Sequence, residues 1–231
     1  NADRVARAAE VRELISAWTR NHTTHEVEEL LGGIVPCGPV HTAADIFREY
    51  AGDNGRFAMH SCNLINPHVE VSTGSLGHGL PVAVGLALSA RLRGQQGRIY
   101  VLLGDGECQG GIVWEGAMAA HKFRLAGITA ILDHNDVQLD GPVHDIMPLE
   151  PLAAKWRAFG WAVLEIDGHN VRQVLEALDT AGQIHDRPTM IVAYTTKGKG
   201  VSYMENDARW HGVAPNDAQF AQAVRELEGG A

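Results

Sequence analysis

The chain has 231 residues, of which 45% are hydrophobic and 20% are charged, and its formal net charge is −9. This composition is typical of a globular protein and argues against a disordered chain. The acidic balance argues against a nucleic-acid binder, which needs a basic surface. The three cysteines form no C-x-x-C pair, which favours a cytoplasmic protein. No uncharged apolar run is long enough to predict a membrane-spanning helix or a membrane partner.

Residues 1–52 predict a few small helices and no convincing strand. Apolar residues between Val11 and Trp18 recur at helical spacing, and Thr23 with Glu26 forms a capping box before a second apolar stripe. We therefore expect a small N-terminal helical appendage over residues 1–52 and a main domain over residues 53–231.

The main domain alternates helix-like and strand-like segments. The strands are short continuous apolar runs, as in a parallel sheet that is covered on both faces. Helices are predicted at 76–93, 112–126, 149–158 and 170–181, and strands at 98–103, 128–133, 162–166 and 189–194. This alternation predicts an α/β fold with a doubly wound parallel sheet flanked by helices, in which ligands bind at the carboxyl ends of the strands.

Two polar positions follow neighbouring predicted strands. The triplet Gly104-Asp105-Gly106 ends the first strand, and Asn135 ends the second. With the backbone carbonyl of Val137, the Asp105 carboxylate and the Asn135 amide form an oxygen set suited to Mg²⁺ or Ca²⁺. Since Mg²⁺ completes its octahedron with water and phosphate oxygens, the expected ligand is a magnesium diphosphate. The alternative is an aspartate in a β-turn and an unrelated loop asparagine.

Five motifs in order resemble the diphosphate-binding half of transketolase, and in particular its separately encoded N-terminal subunit. They are "TGSLGHG", "GDGECQ", "DHNDVQLDG", "IDGH" and "WHGVAPND". The resemblance runs from about Gly55 to the C-terminus and implies the thiamine-diphosphate-binding fold.

The resemblance also implies roles for individual residues. Asp105 and Asn135 would bind the metal by their side chains, and Val137 by its carbonyl. Thiamine diphosphate would be bound by residues of two loops, with Gly74, Leu76 and Gly77 lining the pyrimidine. The cofactor-binding residues are expected to be Gly74, Leu76, Gly77, Gly104, Asp105, Gly106, Glu107 and Asn135.

Two histidines match active-site positions of the family. His60 and His211 are expected to be catalytic, because imidazoles near the reactive carbon could hydrogen-bond a ketose oxygen and move protons near neutral pH. His78 stands where relatives have Gln or His and receives no catalytic role. Glu115 belongs either to a network between subunits or to a solvated helix face, and the lysines of "KGKG" (197–200) either meet phosphate or are solvated.

Two departures from the family pattern stand out. Gly110 replaces the usual glutamate of "GDGECQEG", which should weaken coupling between paired active sites. The segment before "TGSLG" is also shorter than usual and lacks the family's S-x-G-H turn. Residues 4–47 instead resemble a C-terminal fragment of a family III CoA-transferase, to which we assign no activity. The sheet is therefore expected to lack an edge strand or covering helices.

Thiamine activation in this family requires a glutamate on a pyrimidine-binding domain, for which these 231 residues leave no room. The resemblance therefore implies a partner, a C-terminal transketolase subunit, in a dimer or heterotetramer. The expected reaction is transfer of a two-carbon ketol unit between sugar phosphates. The alternatives are a non-catalytic remnant and a subunit of another thiamine enzyme, such as one like deoxyxylulose-phosphate synthase or a ketoacid dehydrogenase component.

Overall fold

A computed structural model describes residues 60–66 and 69–229 of the chain. All of these residues belong to one compact unit, Phe47–Ala231. The elements are α1 (Gly79–Leu92), β1 (Ile99–Gly104), α2 (Gly111–Lys122), β2 (Ile128–His134), β3 (Val137–Gln138), β4 (Gly141–Pro142), α3 (Val143–Ile146), α4 (Leu152–Ala158), β5 (Ala162–Asp167), α5 (Val171–Gln183), β6 (Thr189–Tyr194) and α6 (Asp217–Gly229), with 3₁₀ turns at Gly106–Gln109 and Ala208–Trp210.

Within the described residues, four strands form a parallel sheet in the order β1-β2-β6-β5. Gly104, the last residue of β1, pairs with Asp133 near the end of β2, so the carboxyl ends of these two strands lie side by side. The short strands β3 and β4 form a separate antiparallel pair just after β2. The α/β fold with a parallel sheet flanked by helices, expected from the sequence, is confirmed.

The main core lies between one face of the sheet and helices α1, α2 and α4. Leu103, Ile128, Leu132 and Trp156 are among its fully or almost fully buried members. On the other face, α5 packs its alanines against Ile191 of β6. Burial of this apolar surface supplies the main stabilisation of the fold, at about 25 cal/mol per Å².

Over β1, the second face of the sheet carries exposed apolar side chains. Tyr100 and Leu102 alternate with the buried Val101 and Leu103 along the strand, so they point to the opposite side of the sheet. They are 55% and 73% exposed. The strand that leads into Asp105 therefore carries an exposed apolar face.

Three predicted helices are shorter than the apolar pattern suggested, and the one predicted at 149–158 begins only at Leu152, after Pro151. The helix predicted at 76–93 begins at Gly79, because Gly77 has a left-handed φ of +81° and breaks the helical path. The helix predicted at 112–126 ends at Lys122, since Arg124 adopts a φ of +49° just beyond it. The left-handed Gly77 thus delays the start of α1, whereas the left-handed Arg124 follows the early end of α2.

Helix α6 was not predicted from the sequence. A reciprocal cap marks its start: Asn216 Oδ1 accepts from the Gln219 N–H at 3.0 Å, and Gln219 Oε1 accepts from the Asn216 N–H at 2.9 Å. This N-x-x-Q capping box was the available signal. The helix packs against the loop after β6 through Val201, Met204 and Ala223.

The predicted N-terminal appendage, residues 1–52, and the likeness of residues 4–47 to a CoA-transferase lie outside the described residues. Among the helices that are described, none has the length and apolarity needed to cross a membrane.

Candidate functional site

Asp105 lies at the carboxyl end of β1 and is 3% exposed. Its Oδ1 accepts from the Gly106 N–H at 2.7 Å, and its Oδ2 accepts from the Asp136 N–H at 2.5 Å. Burial raises the pKa of Asp105, although these two hydrogen bonds oppose the rise. The ionised carboxylate is therefore poorly solvated where it stands, and a cation beside it would compensate that cost.

Asn135 and Val137 flank Asp136, the residue that binds Asp105. Asn135 Oδ1 accepts from the Val137 N–H at 3.0 Å, and Asp136 adopts a left-handed φ of +58° that makes this turn tight. The structure thus brings the three predicted metal-binding residues to two turns that are hydrogen-bonded to each other.

The donor set fits a hard divalent cation. Carboxylate, amide and carbonyl oxygens are the ligands that Mg²⁺ and Ca²⁺ prefer, and an ionised carboxylate has about four lone-pair sites, of which two here are used by N–H groups. In the described part of the chain, no group of three or more His, Cys, Asp or Glu side chains could hold a metal ion. A site at Asp105 therefore depends on the amide and backbone oxygens beside it.

Asp133 positions the Asn135 side chain, a role that the sequence analysis missed. Asp133 Oδ2 accepts from Asn135 Nδ2 at 2.9 Å, and its Oδ1 accepts from the Thr195 hydroxyl just after β6. The pattern D-x-N at the end of a strand was the available signal, because residues two apart on a strand point to the same side.

His134 joins the site to the start of α4. Its Nδ1 lies 3.6 Å from Asp105 Oδ2, and its Nε2 is 2.6 Å from Glu150 Oε1. Burial alone would raise the pKa of Glu150, but hydrogen bonds from the Leu152 N–H and from His134 lower it below the ordinary value. Neither His134 nor Glu150 was identified from the sequence.

The turn after Asp105 is closely packed. A Cβ atom at Gly106 would lie 2.9 Å from Gln138 Cβ, so this position accepts no larger residue without a shift of β3. From the core side, Trp114 Nε1 donates to the Cys108 carbonyl at 2.9 Å. The turn is thus held from both sides.

The loop that carries Gly74, Leu76 and Gly77 lies beside this turn. The Gly77 N–H donates to Glu107 Oε1 at 2.7 Å, and a Cβ atom at Gly77 would lie only 2.6 Å from Ile112 Cγ2. The Leu76 side chain is 71% exposed and is therefore available to contact a ligand. The two predicted cofactor loops are adjacent in the structure.

The two predicted catalytic histidines lie on different loops. The exposed His60 stands next to Gly74, where a Cβ atom would be 3.2 Å from His60 Cδ2. His211 follows the second 3₁₀ turn and is influenced by the charge of Lys197. Among the described residues, neither histidine hydrogen-bonds Asp105. His78 is exposed, with Nδ1 at 3.3 Å from the Leu76 carbonyl.

Partial burial, and secondly the positive charge of Lys197, lower the pKa of His211. In the variant Lys197→Met, which removes the charge and keeps much of the stem, we expect the pKa of His211 to rise part of the way toward 6.5. NMR titration of the histidine Cε1–H signals measures this shift. Lys199→Met is the matched control, because Lys199 faces Glu205 at 3.8 Å.

The same shift affects stability. A lowered pKa means that the unfolded chain binds the proton first as the pH falls, so the contribution of His211 to stability is present above about pH 6.5 and is lost below it. Lys197→Met should reduce this acid loss. An unchanged pKa of His211 in Lys197→Met would contradict the prediction.

The family model described as "Transketolase, thiamine diphosphate binding domain" matches residues 44–229. The chain belongs to this family. The family membership inferred from the five motifs is thereby confirmed. The match begins at residue 44, within the segment that the sequence analysis assigned to the N-terminal appendage.

Curated relatives carry the same family name. The chain is 42% identical over 161 residues to an apulose-4-phosphate transketolase subunit of Phocaeicola vulgatus, covering 70% of this chain and 57% of that protein. It is 42% identical over 160 residues to the 6-deoxy-6-sulfo-D-fructose transketolase subunit SqwG of a Clostridium species, covering 69% and 58%. The chain thus spans less than two thirds of the length of both relatives.

Solved transketolases share the fold. The enzyme from Campylobacter jejuni superposes with a TM-score of 0.64 at 25% identity, covering 80% of this chain and 33% of that one. A transketolase variant from Pichia stipitis gives a TM-score of 0.70 at 25% identity, covering 82% and 29%. The fold and the family therefore agree.

Proposed function

We propose that this transketolase-family chain is the diphosphate-binding subunit of a two-subunit transketolase and that it binds thiamine diphosphate through Mg²⁺ or Ca²⁺. The observation that carries the proposal is the hydrogen bond from the Asp136 N–H to the buried Asp105 carboxylate. It places the turn of Asn135 and Val137 beside Asp105 at the carboxyl ends of two neighbouring strands, where ligands of doubly wound sheets bind.

In this proposal Asp105, Asn135 and the Val137 carbonyl hold the metal ion. The ion supplies the positive charge that this acidic chain needs in order to bind a diphosphate. Gly104 and Gly106 keep the turn after β1 narrow, and the loop of Gly74, Leu76 and Gly77 lies against the pyrimidine.

When bound, thiamine diphosphate supplies a nucleophilic carbon and an electron sink for breaking and forming a C–C bond next to a carbonyl. His60 and His211 orient a sugar-phosphate substrate by hydrogen bonds to its oxygens. Burial and the charge of Lys197 lower the pKa of His211 and so favour its neutral imidazole, in which a ring nitrogen is able to accept a proton from a substrate hydroxyl.

A partner completes the enzyme. The two relatives, of which this chain spans 57% and 58%, are themselves named as subunits, and this supports a partner chain. The proposed partner is a C-terminal transketolase subunit that supplies the activating glutamate. The two chains form a dimer or heterotetramer in the cytoplasm. Both relatives are named transketolases, which favours ketol transfer over deoxyxylulose-phosphate synthesis, and the apulose-4-phosphate name supports a sugar-phosphate substrate.

Calorimetric titration of thiamine diphosphate into the chain tests the proposal. We expect saturable binding with Mg²⁺ and loss of binding in EDTA. The titration is then repeated with a C-terminal transketolase subunit present, followed by product analysis on a ketose phosphate and on pyruvate. Absence of binding in both settings would reject the proposed function in favour of a non-catalytic remnant, and turnover of pyruvate would favour the other thiamine enzymes.

A further inference from the structure

The Glu107 carboxylate bridges the two predicted cofactor loops. Its Oε1 accepts from the Gly77 N–H at 2.7 Å, and its Oε2 accepts from the Gly104 N–H at 3.1 Å. Gly77 belongs to the loop before α1, whereas Gly104 is the last residue of β1. One side chain thus links the loop expected at the pyrimidine to the turn expected at the diphosphate.

The loop has little freedom to relax around this bridge. Gly77 has a φ of +81°. A Cβ atom at Gly77 would lie only 2.6 Å from Ile112 Cγ2, so the backbone of Gly77 lies directly against the start of α2. Glu107 holds the loop by hydrogen bonds while Ile112 blocks it by contact. The position of the neighbouring Leu76 and Gly74 therefore depends on both.

Charge favours a bridging role over direct contact with a ligand. Glu107 lies two residues from Asp105, and no ion pair to Glu107 is found within the described part of the chain. A carboxylate aimed at a diphosphate would repel it. Instead, the backbone N–H groups of Gly77 and Gly104 donate hydrogen bonds to the Glu107 carboxylate. Such charge-assisted hydrogen bonds are stronger than those between neutral groups.

We propose that Glu107 is a positioning residue that fixes the spacing between the Gly74–Gly77 loop and the Gly104–Gly106 turn, so that thiamine diphosphate meets both loops already in place. The sequence alone had placed Glu107 among the residues that contact the cofactor. This inference rests on the proposed function, since it concerns how the same site binds its cofactor.

Two probes separate positioning from direct contact. Inorganic pyrophosphate with Mg²⁺ needs only the turn after β1 and the metal, whereas thiamine diphosphate needs both loops. Glu107→Gln keeps the shape of the side chain but places an NH₂ group against one of the two N–H donors. We expect it to weaken thiamine diphosphate about tenfold and to leave pyrophosphate affinity close to wild type.

A measurement without any ligand gives an independent readout. Hydrogen exchange of the Gly77 amide should become faster in Glu107→Gln in the cofactor-free chain, with little change in the thermal midpoint. Glu176→Gln, an exposed position on α5, is the matched control and should change neither quantity.

Each outcome decides the question. Equal affinity of wild type and Glu107→Gln for thiamine diphosphate, or an equal loss for both probes, overturns the positioning role and leaves the proposed function standing. Slower or unchanged Gly77 exchange also overturns it. If the wild-type chain binds pyrophosphate but does not bind thiamine diphosphate, either alone or with a C-terminal transketolase subunit, the proposed function and this inference both fail.

Discussion

Asp105→Asn is expected to weaken Mg²⁺-dependent binding of thiamine diphosphate by roughly a hundredfold or more. The asparagine is isosteric, but it has no charge to hold the metal and only one oxygen to accept the two N–H groups that now bind the carboxylate. Calorimetry in the presence of Mg²⁺ measures the loss. An affinity close to that of the wild type, still dependent on Mg²⁺, would show that the metal binds elsewhere.

The matched control is Asp179→Asn on the exposed face of α5, which makes the same chemical change away from the site. Its affinity should equal that of the wild type. Thermal unfolding distinguishes a site effect from a folding effect. We expect Asp105→Asn to change the free energy of unfolding by no more than about 1 kcal/mol, because the lost hydrogen bond is offset by removal of a poorly solvated charge.

Trp156→Ala is expected to lower the free energy of unfolding by about 3 to 5 kcal/mol. Trp156 has no exposed surface, and its ring centroid lies 5.0 Å from that of Trp114 and 5.1 Å from that of Trp161. The thermal midpoint should fall by roughly 10 °C, measured by circular dichroism. Because Trp114 also holds the Cys108 carbonyl, the turn after Asp105 loses support as well.

Two further variants test whether loss of the buried Trp156 ring causes the lower stability. Trp156→Phe should cost less, since it keeps a large ring and removes an indole N–H that has no partner within the described residues. Leu102→Ala truncates a side chain that is 73% exposed and should change the midpoint little. A midpoint for Trp156→Ala close to that of Leu102→Ala would contradict the prediction.

The fold was largely predictable because its strands are uninterrupted apolar runs. β1, β2, β5 and β6 lie within one residue of their predicted bounds. The order of the strands was not predictable, since β6 lies between β2 and β5 and such pairing depends on contacts distant in sequence. The helix ends were moved by Gly77 and Arg124, whose left-handed backbone depends on local packing.

The site was predictable where a rule of the fold applies. Asp105 and Asn135 follow neighbouring strands, and the structure joins their turns as expected. The hydrogen bond from the Asp136 N–H comes from a left-handed Asp136, a conformation that aspartate adopts more readily than most residues but that its presence alone does not predict. Asp133 on β2 meets Thr195, just after β6, across 62 positions of sequence, and such a distant pair carries no local signal. The catalytic roles of His60 and His211 stay predictions.

The exposed Tyr100 and Leu102 link the surface of the sheet to the proposed cofactor site. They lie on the strand that leads into Asp105, so a molecule that binds this apolar face also contacts the strand that positions Asp105. Exposed apolar surface of this kind favours association between protein molecules as their concentration rises. We therefore expect association through this face to disturb the proposed cofactor site.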